Sequence, residues 1–330
     1  MEKLNNQQRY TFILYFKMVA ALLIINSHYD QIYPIQALAT GGAIGNALFF
    51  AVSGFCLYPI TQPFQKWILP KLKKIYIPTI IMNIIALSTY KSGELSISTF
   101  VSIFIWPTLY WFIGAIVLFY IFYYLLRKVD TNRSFKVLGL ILVIIYAIYY
   151  IFLLDKTAWV IETKGLNSFE SCFKLIYYFA AMIIGKWFRI NIDFIPNKKG
   201  LYGIGVILSF ISLYGVKFII SKVPSLMWLQ FSNQISVLFI VIFAFMLGLS
   251  IEKNLQQTIG SHCYRFGNYI SEITLHLYLV QFFVIDYTYR IVFPVNFIIA
   301  TIGIIVCATL LYYLCIFIQN TLNRLLVNGR

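Results

Sequence analysis

Apolar stretches of about 20 residues recur from one end of this 330-residue chain to the other, and each is long enough to cross a hydrocarbon core about 30 Å thick as a helix. Barrel strands would instead alternate apolar and polar residues over about ten positions. The runs ILVIIYAIYYIFLL and ISVLFIVIFAFMLGL are apolar all round. The expected fold is therefore all-α, a polytopic transmembrane helical bundle of about ten spans. With 61% hydrophobic and 11% charged residues, a soluble domain could not cover its own apolar surface.

The spans are expected near residues 11 to 30, 44 to 62, 75 to 90, 108 to 127, 137 to 155, 172 to 188, 200 to 220, 234 to 251, 268 to 288 and 296 to 320. The net charge of +15 invites a nucleic-acid reading, but the lysines and arginines lie in short connectors, where a basic excess sets membrane orientation. With a cytoplasmic N-terminus, 18 fall inside, 7 outside and Lys17 within a span, which accounts for all 26. That asymmetry puts both termini in the cytoplasm. The first apolar stretch carries Lys17 and His28 and lacks a small-residue cleavage site, so it reads as a retained span. The segment from Ile97 to Trp106 is too short to cross and is expected to lie along the outer interface. No repeat or linker divides the chain, which reads as one domain over residues 1–330. The five cysteines have neither paired metal spacing nor disulfide-framework density, so no metal site is expected.

An ionisable residue inside a span is costly and is a functional candidate by default. Lys17 and His28 are eleven residues apart, about three helical turns and about 16 Å, so a continuous helix projects both from nearly one face. An imidazole can take the proton of an attacking hydroxyl near neutral pH, which makes His28 the natural general base for acyl transfer to an alcohol. A wet histidine at headgroup level with Lys17 snorkelling to the cytosol explains the same pair. Lys71, Lys73 and Lys74 crowd the boundary before the third span, where they suit the phosphates of a nucleotide-like carrier or act as a positive-inside stop signal. Gly41, Gly42 and Gly45 let backbone amides approach a ligand at a helix N-terminus. Ser53 and Gly54 suit close helix packing instead. The pairs Glu272 with His276 and Asp286 with Arg290 are each one turn apart on the ninth span and suit structural support. Asp30 and, in the outer loop between the fifth and sixth spans, Asp155, Trp159, Glu162 and Glu170 offer hydrogen bonds and stacking to a sugar, or simply solvate a loop.

The segments YFKMVAALLIINSHYD, GGAIGNALFFAVSGF, LPKLKKIYIP, LYWFIGAIVLFY and ISEITLHLYLVQFF together resemble the membrane-bound acyltransferase family 3, from the first span to the ninth. In that family an arginine and an essential histidine on the first helix have ten residues between them, a run ends in SGF, and a basic motif follows the second helix. The resemblance puts Lys17 at the arginine position, His28 at the histidine and Lys71 and Lys74 at the last two basic positions, with Pro70 where a first basic residue is expected. It implies acetyl-coenzyme A as cytoplasmic donor, and O-acetylation of capsule, lipopolysaccharide, teichoic acid or a related glycan at a bacterial plasma membrane. From another class, a transporter or flippase of polysaccharide or lipid-linked sugar also suits ten helices with buried polar groups. Inverted repeats would favour it, and none is visible.

Overall fold

A computed structural model describes residues 10–89, 100–105, 110–154 and 173–328. Its principal elements are helices: α1 (Thr11–Asn26), α2 (Gly42–Leu57), α3 (Phe64–Thr89), α4 (Trp111–Leu125), α5 (Asn132–Ile148), α6 (Phe173–Ile190), α7 (Lys199–Lys222), α8 (Phe231–Gln256), α9 (His262–Glu272), α10 (Thr274–Thr288) and α11 (Val295–Asn328). Among the described residues five helical stretches are long and apolar enough to cross a membrane, Gln36–Leu57, Asn132–Leu153, Lys199–Lys222, Pro224–Gln256 and Val295–Thr321, with α1 and α4 as shorter apolar helices. The chain is a multi-pass, all-helical membrane protein, and each expected span coincides with one or two of these helices.

Four local expectations change. Helix α1 stops at Asn26, so His28 lies beyond it rather than on the helix face that carries Lys17. Helix α3 starts at Phe64 and holds Pro70 and Pro78 internally, so the basic cluster is helical, although each proline withholds one backbone donor. The ninth span breaks at Ile273, whose ψ of 8° leaves helical geometry between α9 and α10. Finally, the Tyr76 hydroxyl donates to the Ile105 carbonyl at 3.0 Å. Tyr76 is midway along α3, so the turn at Val101–Ile105 packs back beside that helix instead of lying beyond its end.

The helices form two compact units interleaved in sequence. One takes α1 as far as Ala20, Ala43–Ile60 and Tyr123–Asn268. Its centre is an aromatic cluster in which Phe12 meets Phe16 at 5.2 Å, Phe55 at 5.6 Å and Phe245 at 5.8 Å between ring centroids. Helices α2 and α6 cross so closely there that a Cβ on Gly54 would stand 1.8 Å from the Met182 carbonyl oxygen, and one on Gly185 would stand 1.8 Å from that of Ala51. Gly54 thus does what small residues do between membrane helices, and Ser53 bonds its own helix through Phe49 O at 2.9 Å.

Glu252 of α8 accepts from the backbone N–H groups of Thr11 at 2.7 Å and Phe12 at 2.9 Å. These are first-turn donors of α1 that no helical carbonyl reaches. The carboxylate is 7% exposed, and its charge favours a helix N-terminus. Charge-assisted hydrogen bonds of this kind contribute about 1.5–3 kcal/mol. Glu252→Ala is therefore expected to lower the melting temperature of the detergent-solubilised protein markedly, and Glu252→Gln less; equal melting of all three would remove Glu252 as a cap. In the same unit Lys186, 1% exposed, donates to the Leu126 carbonyl just past α4 at 2.7 Å. That lysine is a buried cap for the end of α4.

The second unit takes Ala21–Gly42, Thr61–Phe122 and the chain from Tyr269. Helix α10 packs against α11 and α3. The Tyr110 hydroxyl, at the start of α4, donates to the Leu279 carbonyl of α10 at 3.1 Å.

Candidate active site

The residues after α1 form a turn whose shape is set by side chains. Asn26 spends its whole amide on it: Nδ2 donates to the carbonyls of Leu38 and Thr40, both at 2.9 Å, and Oδ1 accepts from the Tyr33 hydroxyl at 2.7 Å. Ser27 donates to Ile24 O at 2.7 Å. Tyr29 is buried, shares a hydroxyl hydrogen bond of 3.0 Å with Thr301 and sets its ring edge-on to Phe297 at 5.5 Å. Asn296 Nδ2 donates to Ile32 O at 3.0 Å. The segment that follows His28 is thereby tied to α11. Asn26 and Asn296 escaped the sequence reading, and their only signal was an amide at the edge of an apolar run.

His28 itself is half-buried. Its backbone N–H bonds Ile25 O at 3.0 Å, and its ring lies edge-on to Phe282 of α10, 4.6 Å between centroids and 64° between planes. Phe282 in turn stands 6.2 Å from both Tyr110 and Tyr278. Among the described residues no side chain hydrogen-bonds the imidazole. The ring is held by its turn and an aromatic wall.

The glycine run is accounted for by packing. Gly41 has φ of 98°, which only glycine adopts readily, and a Cβ there would meet Leu23 Cδ2 at 2.8 Å. A Cβ on Gly42 would stand 2.4 Å from Ser27 Oγ. These two glycines seat the return of the chain against the His28 turn. Gly45 is a buried residue of α2 in the first unit. Asp30 is exposed and accepts from the Gln31 N–H at 3.0 Å. Trp159 and Glu162, with Asp155 and Glu170, lie outside the described residues.

The three lysines of α3 differ from one another. Lys71, ahead of the residues expected to span, donates to its own helix at Trp67 O, 2.8 Å, with its ammonium 4.2 Å from the Trp67 ring centroid. Burial, and after it the charge of Lys74, hold the pKa of Lys71 below the ordinary lysine value. Lys73 and Lys74 are exposed. In the other unit Lys17 is half-buried with no hydrogen bond or ion pair among the described residues. It lies near Cys56, as does Arg189, whose guanidinium sits 5.0 Å from the Tyr10 ring and 5.3 Å from that of Phe55. Arg189 joins Lys17 as a second cation of that neighbourhood, a role hidden in the sequence by its place in a basic connector.

The setting of the ionisable residues on the ninth span is more broken than a single helix would give. The break at Ile273 falls between Glu272, which is exposed, and His276, which is 8% exposed and edge-on to Tyr312 at 5.3 Å. Arg290 donates to the Tyr289 hydroxyl at 3.0 Å. Among the described residues no group of three or more histidine, cysteine or acidic side chains is arranged to hold a metal ion.

No curated protein and no solved structure matches the chain. Its sequence does match the acyltransferase domain of family 3 over residues 10–318, nearly its whole length, and that stretch contains both units and every residue discussed above. The chain is a multi-pass membrane acyltransferase and belongs to acyltransferase family 3.

Proposed function

We propose that this enzyme moves an acetyl group from cytoplasmic acetyl-coenzyme A to a hydroxyl of a cell-surface or lipid-linked glycan at a bacterial plasma membrane, with His28 as general base. The observation that carries this reading is the His28 ring, fixed by its turn and by Phe282, with no side-chain hydrogen bond among the described residues. The acceptor hydroxyl gives its proton to the imidazole as its oxygen attacks the thioester carbonyl; the C–S bond then breaks and the imidazolium returns the proton to the departing sulfur, so coenzyme A leaves as the thiol and His28 is again neutral. Lys17 supplies positive charge within the membrane thickness. The donor's phosphates attract the exposed ammoniums of Lys73 and Lys74, and Lys71, folded onto Trp67, adds charge nearby. The bilayer is the solvent, ten spans leave both termini in the cytoplasm, and the acceptor approaches from outside.

Radiolabelled acetyl transfer by the purified enzyme in proteoliposomes tests the donor, since the reading requires label from acetyl-coenzyme A in a glycan acceptor. Label that never leaves coenzyme A across a panel of surface glycans would sink it. For the lysines, the double variant Lys73→Gln and Lys74→Gln is expected to weaken coenzyme A binding and flatten its salt dependence, because exposed charges attract over a screening length of about 8 Å at physiological salt. Lys71→Gln is expected to matter less. Unchanged affinity and salt response in the double variant would make these lysines topology signals only.

A further inference from the structure

Helices α5, α6 and α8, all of the first unit, enclose a cavity of about 720 Å³. Its wall is apolar between two polar ends. At one end stand Asn132, Lys136 and Trp187; at the other, Tyr146 donates to Gln234 Oε1 at 2.8 Å. From Asn132 to Tyr146 helix α5 rises about 21 Å, somewhat more than the roughly 15 Å depth of one leaflet. The outer side of α5 is open to lipid, with Leu140, Ile141 and Ile144 all exposed.

Gly139 lies in the middle of this wall. A glycine inside a helix weakens it relative to alanine, and at Gly54 and Gly185 close backbone packing explains the choice. At Gly139, as at Gly203 and Gly215, a Cβ would meet nothing within 4 Å, so among the described residues no close packing calls for it; Gly139 differs in lining the cavity. What the glycine leaves is width in the groove.

The polar end is also the charged end. Between Tyr123 and Lys136 the chain carries Arg127, Lys128, Arg133 and Lys136 against Asp130 alone, and Lys128, Arg133 and Lys136 are exposed. The Trp187 indole N–H donates to Asn132 Oδ1 at 3.1 Å, and tryptophan at the polar end of a membrane helix marks the headgroup level. We infer that this groove is a binding site for one anionic phospholipid, with an acyl chain along Gly139 toward Tyr146 and the phosphate at Lys136. Basic residues at that level select an anionic headgroup, and the bare groove floor admits the chain.

Native mass spectrometry of the delipidated full-length protein, offered dioleoyl phosphatidylglycerol or dioleoyl phosphatidylcholine, tests the site. The wild type is expected to retain one phosphatidylglycerol per chain at a concentration on the order of tenfold below that needed for phosphatidylcholine. Gly139→Phe starts from a position where a Cβ meets nothing within 4 Å; it is expected to fill the groove and abolish retention at an unchanged melting temperature. Lys136→Ala should bring phosphatidylglycerol down to the level of phosphatidylcholine. Equal retention of the two lipids by the wild type, or wild-type retention by Gly139→Phe, overturns the proposal. A dimer that Gly139→Phe disperses would assign the face to a second copy and overturn it as well. Should Gly139→Phe melt lower, Lys136→Ala decides, and an undiminished preference for phosphatidylglycerol refutes the site.

Discussion

Replacing His28 by alanine is expected to reduce acyl transfer by about 10²–10⁴-fold, the usual cost of losing general-base assistance, while the protein still inserts and still binds coenzyme A. The separation of effects follows from the structure. His28 is half-buried in a turn held by Asn26, Tyr29 and Asn296, and among the described residues its side chain makes a ring contact to Phe282 and no hydrogen bond. Truncating it removes a proton acceptor and leaves the hydrogen bonds of the turn in place. Asn26→Ala acts differently, because it unties Leu38, Thr40 and Tyr33 at once and should lower both stability and transfer. Lys17→Ala should impair transfer, with Lys17→Arg restoring part of it if positive charge is what the site requires. The discriminating measurement is transfer rate beside coenzyme A affinity for each variant. A His28→Ala enzyme that is well expressed and transfers at a near-normal rate removes the histidine from the mechanism.

Gly54→Val is expected to be the most destabilising single substitution outside the site. A Cβ there would stand 1.8 Å from the Met182 carbonyl oxygen, and what must move is the backbone of α6, not the end of a flexible side chain. The reciprocal approach of Gly185 to Ala51 and the bond from the Tyr123 hydroxyl to Gly54 O at 2.7 Å leave the crossing no direction in which to relax. Overpacking of a tight core costs about 1–3 kcal/mol and occasionally more, and the upper end applies when backbone meets backbone. Gly215→Ala, where a Cβ meets nothing within 4 Å, is the matched control and should be neutral or slightly stabilising. Melting of both variants in the same detergent reads the difference. Comparable melting temperatures would mean that α2 and α6 do not approach so closely.

The positions of the helices were legible because length and apolarity alone decide what crosses a membrane, and both are properties of a stretch rather than of a partner. Features that depend on a distant partner were not legible. The α1 helix was read through His28 because the apolar run continues to Ile25 and nothing local announces that Asn26 folds its amide onto Leu38 and Thr40. The break at Ile273 is hidden because no glycine or proline adjoins it. Lys71, Lys73 and Lys74 look equivalent in sequence, yet Lys71 alone bonds back to Trp67. Glu252 gave no motif because a cap offered by one helix to another, 241 residues away at Thr11, has no spacing to recognise. His28 itself was visible for a physical reason: a titratable group at the end of an apolar run must either be satisfied or be used.

The central claim, acetylation of a surface glycan through His28, is tested most directly by intact mass measurement of surface glycans from cells producing the wild-type chain, the His28→Ala chain or neither. The account predicts a base-labile acetyl increment on one glycan with the wild type, and its loss both without the chain and with His28→Ala at equal protein level. Identical glycan masses in all three would contradict it.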